Sequence, residues 1–326
     1  MSRVAATYDA QQVQGDGFLL QLWRFARPHT IIGTTLSLVA LYAIADGIFP
    51  SSTVFGFAGG GQGVVDSGTL LLTWIACIGA NVYIVGLNQL TDIPLDRINK
   101  PYLPLASGAW TPRTGWVVIG TCFGVSLLAC LLVNSTWLWY TVVSSLILGT
   151  LYSLPPVRLK RYSFWAAFCI IAVRSLIVNV LLFAHVAGWQ ASWRDMPPPV
   201  WLLVFVMFAF SVAIAWYKDL PDLEGDRTHG VSTLALQLGS RRVLRLGALV
   251  LGACLLLAAG APWLVHLQQV NGIVLSAGQL AVLLTFVWSV SRVQLSQKPS
   301  IRQFYLTLWG LFFAEYALFA AAAQAG

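Results

Sequence analysis

Nine stretches of about 18–24 residues, each nearly without charge, leave this chain few options for its backbone. They lie roughly at 31–49, 69–91, 115–133, 136–153, 164–187, 199–217, 243–265, 272–291 and 303–322. Hydrocarbon offers no partner to a peptide N–H or C=O, so a run of that length must pair its backbone internally, as a helix. A length of 326 residues alone suggests two soluble domains, but a mean hydropathy of +0.75 overrides that expectation. The expected fold is all-α: a multi-spanning membrane protein with about nine transmembrane helices, one domain over 1–326, and a polar N-terminal segment at 1–24.

The formal charge of +7 would raise nucleic acid as a partner in a soluble chain. Its distribution answers differently. With the amino terminus on one side and each run crossing once, seventeen of the 19 Lys and Arg fall on that side. Arg194 lies opposite, and Arg174 lies within the fifth run. Such asymmetry marks the first side as cytoplasmic and places the carboxyl terminus outside. The bilayer is therefore the expected partner, and nucleic acid is not. The first 24 residues hold Asp9 and Asp16 and lack an apolar h-region, so they do not read as a secretory or plastid-targeting segment. A prokaryotic plasma or thylakoid membrane is the expected location. Cys77, Cys122, Cys130, Cys169 and Cys254 all fall within apolar runs and form no CxxC pair, which argues against zinc or redox chemistry.

Against this background the acids stand out. Asp92-Ile-Pro-Leu-Asp96-Arg97 recurs 130 residues later as Asp222-Leu-Glu-Gly-Asp226-Arg227, each copy where an apolar run ends. With Asp219 and Glu224, the two clusters take six of the twelve acidic residues. A shift of four helices preserves orientation, so the recurrence fits an internal pseudo-repeat of a four-helix unit plus a ninth helix, with both clusters at the cytoplasmic face. Asn88, Asp92 and Asp96 are spaced i, i+4, i+8, and Asp219, Asp222 and Asp226 i, i+3, i+7; each set falls along one helix face. Pro94 and Pro221 should end or kink those helices, leaving the later carboxylates on ordered loop. Two or three such ligands per cluster, completed by waters and substrate phosphates, suit Mg²⁺. The plainer alternative is a pair of solvated loops whose acids pair with Arg97, Lys100, Lys218 and Arg227.

Between the clusters runs Tyr152-Ser-Leu-Pro-Pro-Val-Arg158-Leu-Lys160-Arg161. Three cations within four residues could contact a diphosphate, although a basic loop can serve topology alone. A lipid-tailed diphosphate fits the combined pattern: phosphates at the rim, hydrocarbon between helices. A transporter would place its acids near the bilayer midplane in broken helices. Here they lie at helix ends beside Lys and Arg.

The segments Asn88-Gln-Leu-Thr-Asp92-Ile-Pro-Leu-Asp96-Arg-Ile-Asn-Lys100-Pro, Tyr152 to Arg161, and Lys218-Asp219-Leu-Pro-Asp222-Leu-Glu-Gly-Asp226-Arg resemble the UbiA-type intramembrane aromatic prenyltransferase superfamily. Arg27-Pro-His29-Thr-Ile-Ile-Gly-Thr, Asn99 to Gly108, and Val231-Ser-Thr-Leu-Ala look most like its homogentisate prenyltransferases. Gln89 stands where an acid commonly follows the Asn, and Leu103 where an Arg often precedes Pro-Leu or Pro-Ile. Both departures suit the homogentisate branch better than the hydroxybenzoate or chlorophyll branches.

The resemblance implies Mg²⁺-dependent transfer of a prenyl group, phytyl by family likeness, from its diphosphate to homogentisate with loss of CO₂, giving a tocopherol or plastoquinone precursor. Geranylgeranyl and solanesyl donors, or another acceptor such as 4-hydroxybenzoate, dihydroxynaphthoate or a chlorophyllide, are the alternatives. Asn88, Asp92 and Asp96 would hold one metal and Asp219, Asp222 and Asp226 another. Asp92, Asp96, Asp222, Asp226 and Lys160 would carry catalysis, with Arg97, Lys100, Arg158, Arg161, Lys218 and Arg227 on the diphosphate. For the acceptor, the candidates are His29, Arg174 and Asn179. Arg174 could equally serve a structural ion pair or a second diphosphate contact, and His29 an interface cap.

Overall fold

The computed structural model describes residues 13–49, 65–218, 220 and 234–326, and every regular element among them is helical. Packing divides the chain into two compact units: Met1–Thr35 with Ser67–Leu159, and Leu36–Asp66 with Lys160–Gly326.

The first unit contains α1 (Phe18–Phe25), the beginning of α2 (Pro28–Ile48), α3 (Ser67–Thr91), the short α4 (Ile93–Asn99) and α5 (Pro104–Ser107), α6 (Pro112–Val133) and α7 (Thr136–Ser153). Here α3 is the central element, packed along α6 and α7. Two glycines seven residues apart make the α3–α6 approach possible. A Cβ on Gly79 would lie 2.7 Å from the Cys122 carbonyl oxygen, and one on Gly86 would lie 2.5 Å from both Ile119 and Phe25. Below that seam Phe25, Val82, Leu87, Leu105, Trp110 and Ile119 form a buried core. Polar anchoring is local: Trp110 Nε1 donates to Gln21 Oε1 at 2.7 Å, and the Gln21 amide donates to the Val13 and Asp16 carbonyls. At the α6 amino terminus Thr111 accepts from the Thr114 amide while Pro112 occupies the first turn, where no N–H is required.

In the second unit lie the rest of α2, α8 (Ser163–Val186), α9 (Pro198–Tyr217), α10 (Leu234–Leu238), α11 (Ser240–Leu264), α12 (Gly272–Arg292) and α13 (Lys298–Gln324). Successive partners pack side by side: α8 on α9, α9 on α11 and α13, α11 on α12, and α12 on α13. The middle of α8 is not α-helical. Ala172–Leu182 winds as a π-helix, a wider form that recurs at functional positions.

Eight helices among the described residues are long and apolar enough to cross a membrane. The remaining expected run, 136–153, is the 18-residue α7, whose Trp, Tyr, Ser and Thr content leaves it less apolar than the others. The 130-residue offset also holds at the level of elements. Shifted by that amount, α3 covers 197–221 and overlays α9, while α6 covers 242–263 and falls within α11.

Candidate active site

In the first unit, helix α3 ends at Thr91, and Asp92 interrupts it with φ −121° and ψ 18°. Pro94 does not open a loop as the sequence suggested. It sits in the first turn of a new helix, α4, where its missing N–H is harmless, so Asp96 is helical and reports the difference. The two carboxylates stay neighbours despite the break, close enough that the charge on Asp92 raises the pKa of Asp96. Asp96 is only 5% exposed. Burial pushes its carboxyl above the ordinary range, the nearby charges of Lys100 and Arg27 pull it partly back, and Asp92 pushes it up again.

Cations surround this pair. Arg158 donates from Nη2 to Asp92 Oδ1 at 2.8 Å and to the Thr91 carbonyl at 3.4 Å. Lys100 Nζ lies 3.6 Å from Asp96 Oδ1, one helical turn on. Arg27 was not singled out for the site in the sequence, yet it belongs to this group. Pro28 follows it at the start of α2, which disfavours right-handed helical backbone at Arg27, and the residue adopts φ 54°. Its Nε and Nη2 are buried with no hydrogen-bond acceptor, as is Nε of Arg158. Gln89 explains one departure noted above: its buried Nε2 donates to the Phe25 carbonyl at 2.6 Å, a bond no carboxylate could make.

Two adjacent carboxylates with Arg158, Lys100 and Arg27 near them, and the half-buried Asn88 one turn before Asp92 on α3, offer donor types that fit Mg²⁺, an ion satisfied by one or two carboxylates plus phosphates and waters. Among the described residues no trio of His, Cys, Asp and Glu gathers to hold a metal. Asp219, Asp222, Asp226 and Arg227 lie outside the described residues. Arg97 and Arg161 are exposed, Lys160 is half-buried in a 3₁₀ turn (Leu159–Arg161), and Lys218 follows α9 directly.

The second unit gathers the other candidates. The Arg174 guanidinium, half-buried in the π-helix, stacks 4.5 Å from the ring centre of Trp309 on α13. Asn179 is fully buried; its Nδ2 donates to the Arg174 and Ser175 carbonyls at 2.8 and 3.0 Å, and its Oδ1 accepts from Tyr316 at 2.8 Å. Trp309 continues into an aromatic cluster with Phe312 and Phe313. His29 stands exposed in the first turn of α2, in the first unit.

Comparison with known proteins shows the family. The UbiA prenyltransferase family matches residues 49–314. A Synechocystis sp. protein named homogentisate phytyltransferase is 43% identical over 302 residues, covering 91% of this chain and 93% of that protein. A Triticum aestivum protein named homogentisate geranylgeranyltransferase is 34% identical, covering 92% and 72%. The structure of a UbiA homologue from Archaeoglobus fulgidus bound to GPP and Mg²⁺ shares the fold at a TM-score of 0.62 and 17% identity, covering 94% of this chain and all of that one. The chain belongs to the UbiA prenyltransferase family and is a multi-span membrane prenyltransferase.

Proposed function

We propose that the protein transfers a phytyl group from phytyl diphosphate to homogentisate, with loss of CO₂, at the cytoplasmic face of a prokaryotic plasma or thylakoid membrane. One observation carries this reading. Asp92 and Asp96 form an acidic pair suited to a divalent cation, and beside it Arg27 and Arg158 hold buried N–H donors suited to an anion. A magnesium-bound diphosphate answers both needs. The likeness to the Synechocystis protein supports homogentisate as acceptor and phytyl as donor, and the positive-inside charge distribution supports the orientation.

Mg²⁺ would be held by Asn88, Asp92 and Asp96 in the first unit and by Asp219, Asp222 and Asp226 in the second, supplying Lewis-acid neutralisation of the leaving diphosphate. Arg27, Lys100 and Arg158 donate to diphosphate oxygens, as do Arg97, Lys160, Arg161, Lys218 and Arg227. Lys160 stabilises the charge that builds as the allylic C–O bond breaks and its electron pair passes to the diphosphate. A ring carbon of the acceptor bonds to the allylic carbon, and the side-chain carboxylate leaves as CO₂. The displaced ring proton balances the one gained by the new methyl group. Arg174, its flat face on Trp309, presents edge N–H groups to the acceptor carboxylate. Asn179 braces Arg174 through its carbonyl, and His29 orients the acceptor.

Membranes carrying the protein, supplied with Mg²⁺, test this directly. Phytyl, geranylgeranyl and solanesyl diphosphates compete for homogentisate, and 4-hydroxybenzoate, dihydroxynaphthoate and a chlorophyllide replace it in turn. The expected dominant product is the methyl-phytyl quinol. Prenylation of another acceptor with none of homogentisate refutes the assignment.

A further inference from the structure

Glu315 lies in the middle of α13 and is completely buried, the only acidic residue within that helix. Its hydrogen-bond partner is Gln279 of α12, also completely buried, whose Nε2 donates to Glu315 Oε2 at 2.6 Å. The other oxygen of each group, Oε1 of Glu315 and Oε1 of Gln279, is buried with no partner. Two acceptors left over from one hydrogen-bonded pair are both satisfied if a single hydrogen lies between them. An ionised carboxylate here would have to remain without a cation: none of the ion pairs among the described residues reaches it. Buried carboxylates in apolar surroundings neutralise instead.

We infer that Glu315 carries a proton on Oε1 and donates it to Gln279 Oε1, closing a two-bond acid–amide ring that locks α13 against α12 and makes Glu315 a positioning residue for the acceptor site. The connection to the site is short. Tyr316, the next residue, donates to Asn179 of the π-helix, and six residues before Glu315 on α13 Trp309 stacks on Arg174. Fixing α13 at Glu315 therefore fixes the Trp309 stack on Arg174 and the Tyr316 bond to Asn179, which itself donates to the Arg174 carbonyl. The neighbouring titratable and charged groups are Cys254 of α11, near enough to feel the Glu315 carboxyl, and Arg174, which acts on Tyr316. Neither supplies a counter-ion bond to Glu315. The positioning role rests on the proposed acceptor site at Arg174; the proton does not.

Infrared difference spectra of the purified protein in nanodiscs, wild type minus Glu315→Gln, test the proton. The expected result at neutral pH is a protonated carboxylic acid C=O band that the substitution removes. A carboxylate pair of bands removed by Glu315→Gln overturns the inference. Glu315→Gln can form the same two-bond ring as an amide–amide pair, so it should keep the wild-type melting temperature and acceptor KM. Glu315→Ala should melt lower and raise acceptor KM about tenfold with donor KM unchanged, the scale of a lost buried hydrogen-bonded pair. Equal destabilisation by Gln and Ala overturns the neutral ring. An acceptor KM unmoved in Glu315→Ala overturns the positioning role and leaves the proton standing. Absence of prenylated homogentisate from the wild type, with the acid band present, refutes the proposed reaction instead.

Discussion

Arg158 bonds through Nη2 to Asp92 at 2.8 Å while its buried Nε meets no acceptor. The same guanidinium thus steadies a proposed metal ligand and has a further buried donor that, under the proposed function, would serve the diphosphate. Fixed donors aimed at developing charge contribute about 10²–10³ in kcat per group. Arg158→Ala should reduce kcat on that scale in a single-turnover assay, and Asp92→Ala should abolish turnover while the protein remains in the membrane. Near-normal turnover in Asp92→Ala breaks the metal assignment.

Arg27 makes the sharper test, because its role comes from geometry alone. Its two buried, unpartnered nitrogens, Nε and Nη2, are suited to charge-assisted bonds worth about 1.5–3 kcal/mol, or roughly a 10- to 150-fold effect. Arg27→Ala should raise donor KM or lower kcat by that factor without changing acceptor KM. Arg27→Lys should recover only part of it, since an ammonium lacks the forked donor geometry. A purely acceptor-side change contradicts the placement.

Asp96 gives a pH dependence with a definite sign. Its folded-state pKa is raised, chiefly by burial, so the fold favours the protonated form; without metal, stability is greatest at low pH and declines as pH rises through that pKa. Magnesium requires the ionised form, so its affinity should move the opposite way and weaken as pH falls through the same pKa, above the ordinary carboxylate range. Asp96→Asn should melt higher than wild type at neutral pH without Mg²⁺ and lose the Mg²⁺-induced stabilisation. Thermal melts across pH, with and without Mg²⁺, measure both trends.

Gly86 tests packing next to the site. An added methyl there meets Ile119 and Phe25 at 2.5 Å, and overpacking of this kind destabilises by about 1–3 kcal/mol. Gly86→Ala should melt below wild type. Gly120→Ala, on a face of α6 with nothing within 4 Å, should be neutral or stabilising.

Hydrophobic length revealed the helices readily, because a backbone in hydrocarbon has a single economical solution: the run expected at 136–153 is α7 itself, and 31–49 is α2 to within three residues. The pairing of acids was legible for a related reason, since charge beside an apolar run stands out. Other features were hidden. The break at Asp92 depends on how Pro94 is used, as a first-turn residue of a new helix, and proline identity does not decide between that and a loop. Arg27 reads as one more topogenic cation until its backbone conformation and buried donors are seen. The π-helix at 172–182 leaves no periodic signature distinct from an ordinary span. Glu315 could have been found by asking why an acid interrupts the last apolar run, but its amide partner, 36 residues away, could not.

The most direct test of the central claim supplies carboxyl-labelled homogentisate and phytyl diphosphate to membranes with Mg²⁺ and counts labelled CO₂, diphosphate and prenyl quinol together. Equal amounts of all three, dependent on Mg²⁺ and abolished by Asp92→Ala and Asp222→Ala alike, are the predicted result. Diphosphate release without CO₂, or full yield after either substitution, contradicts it.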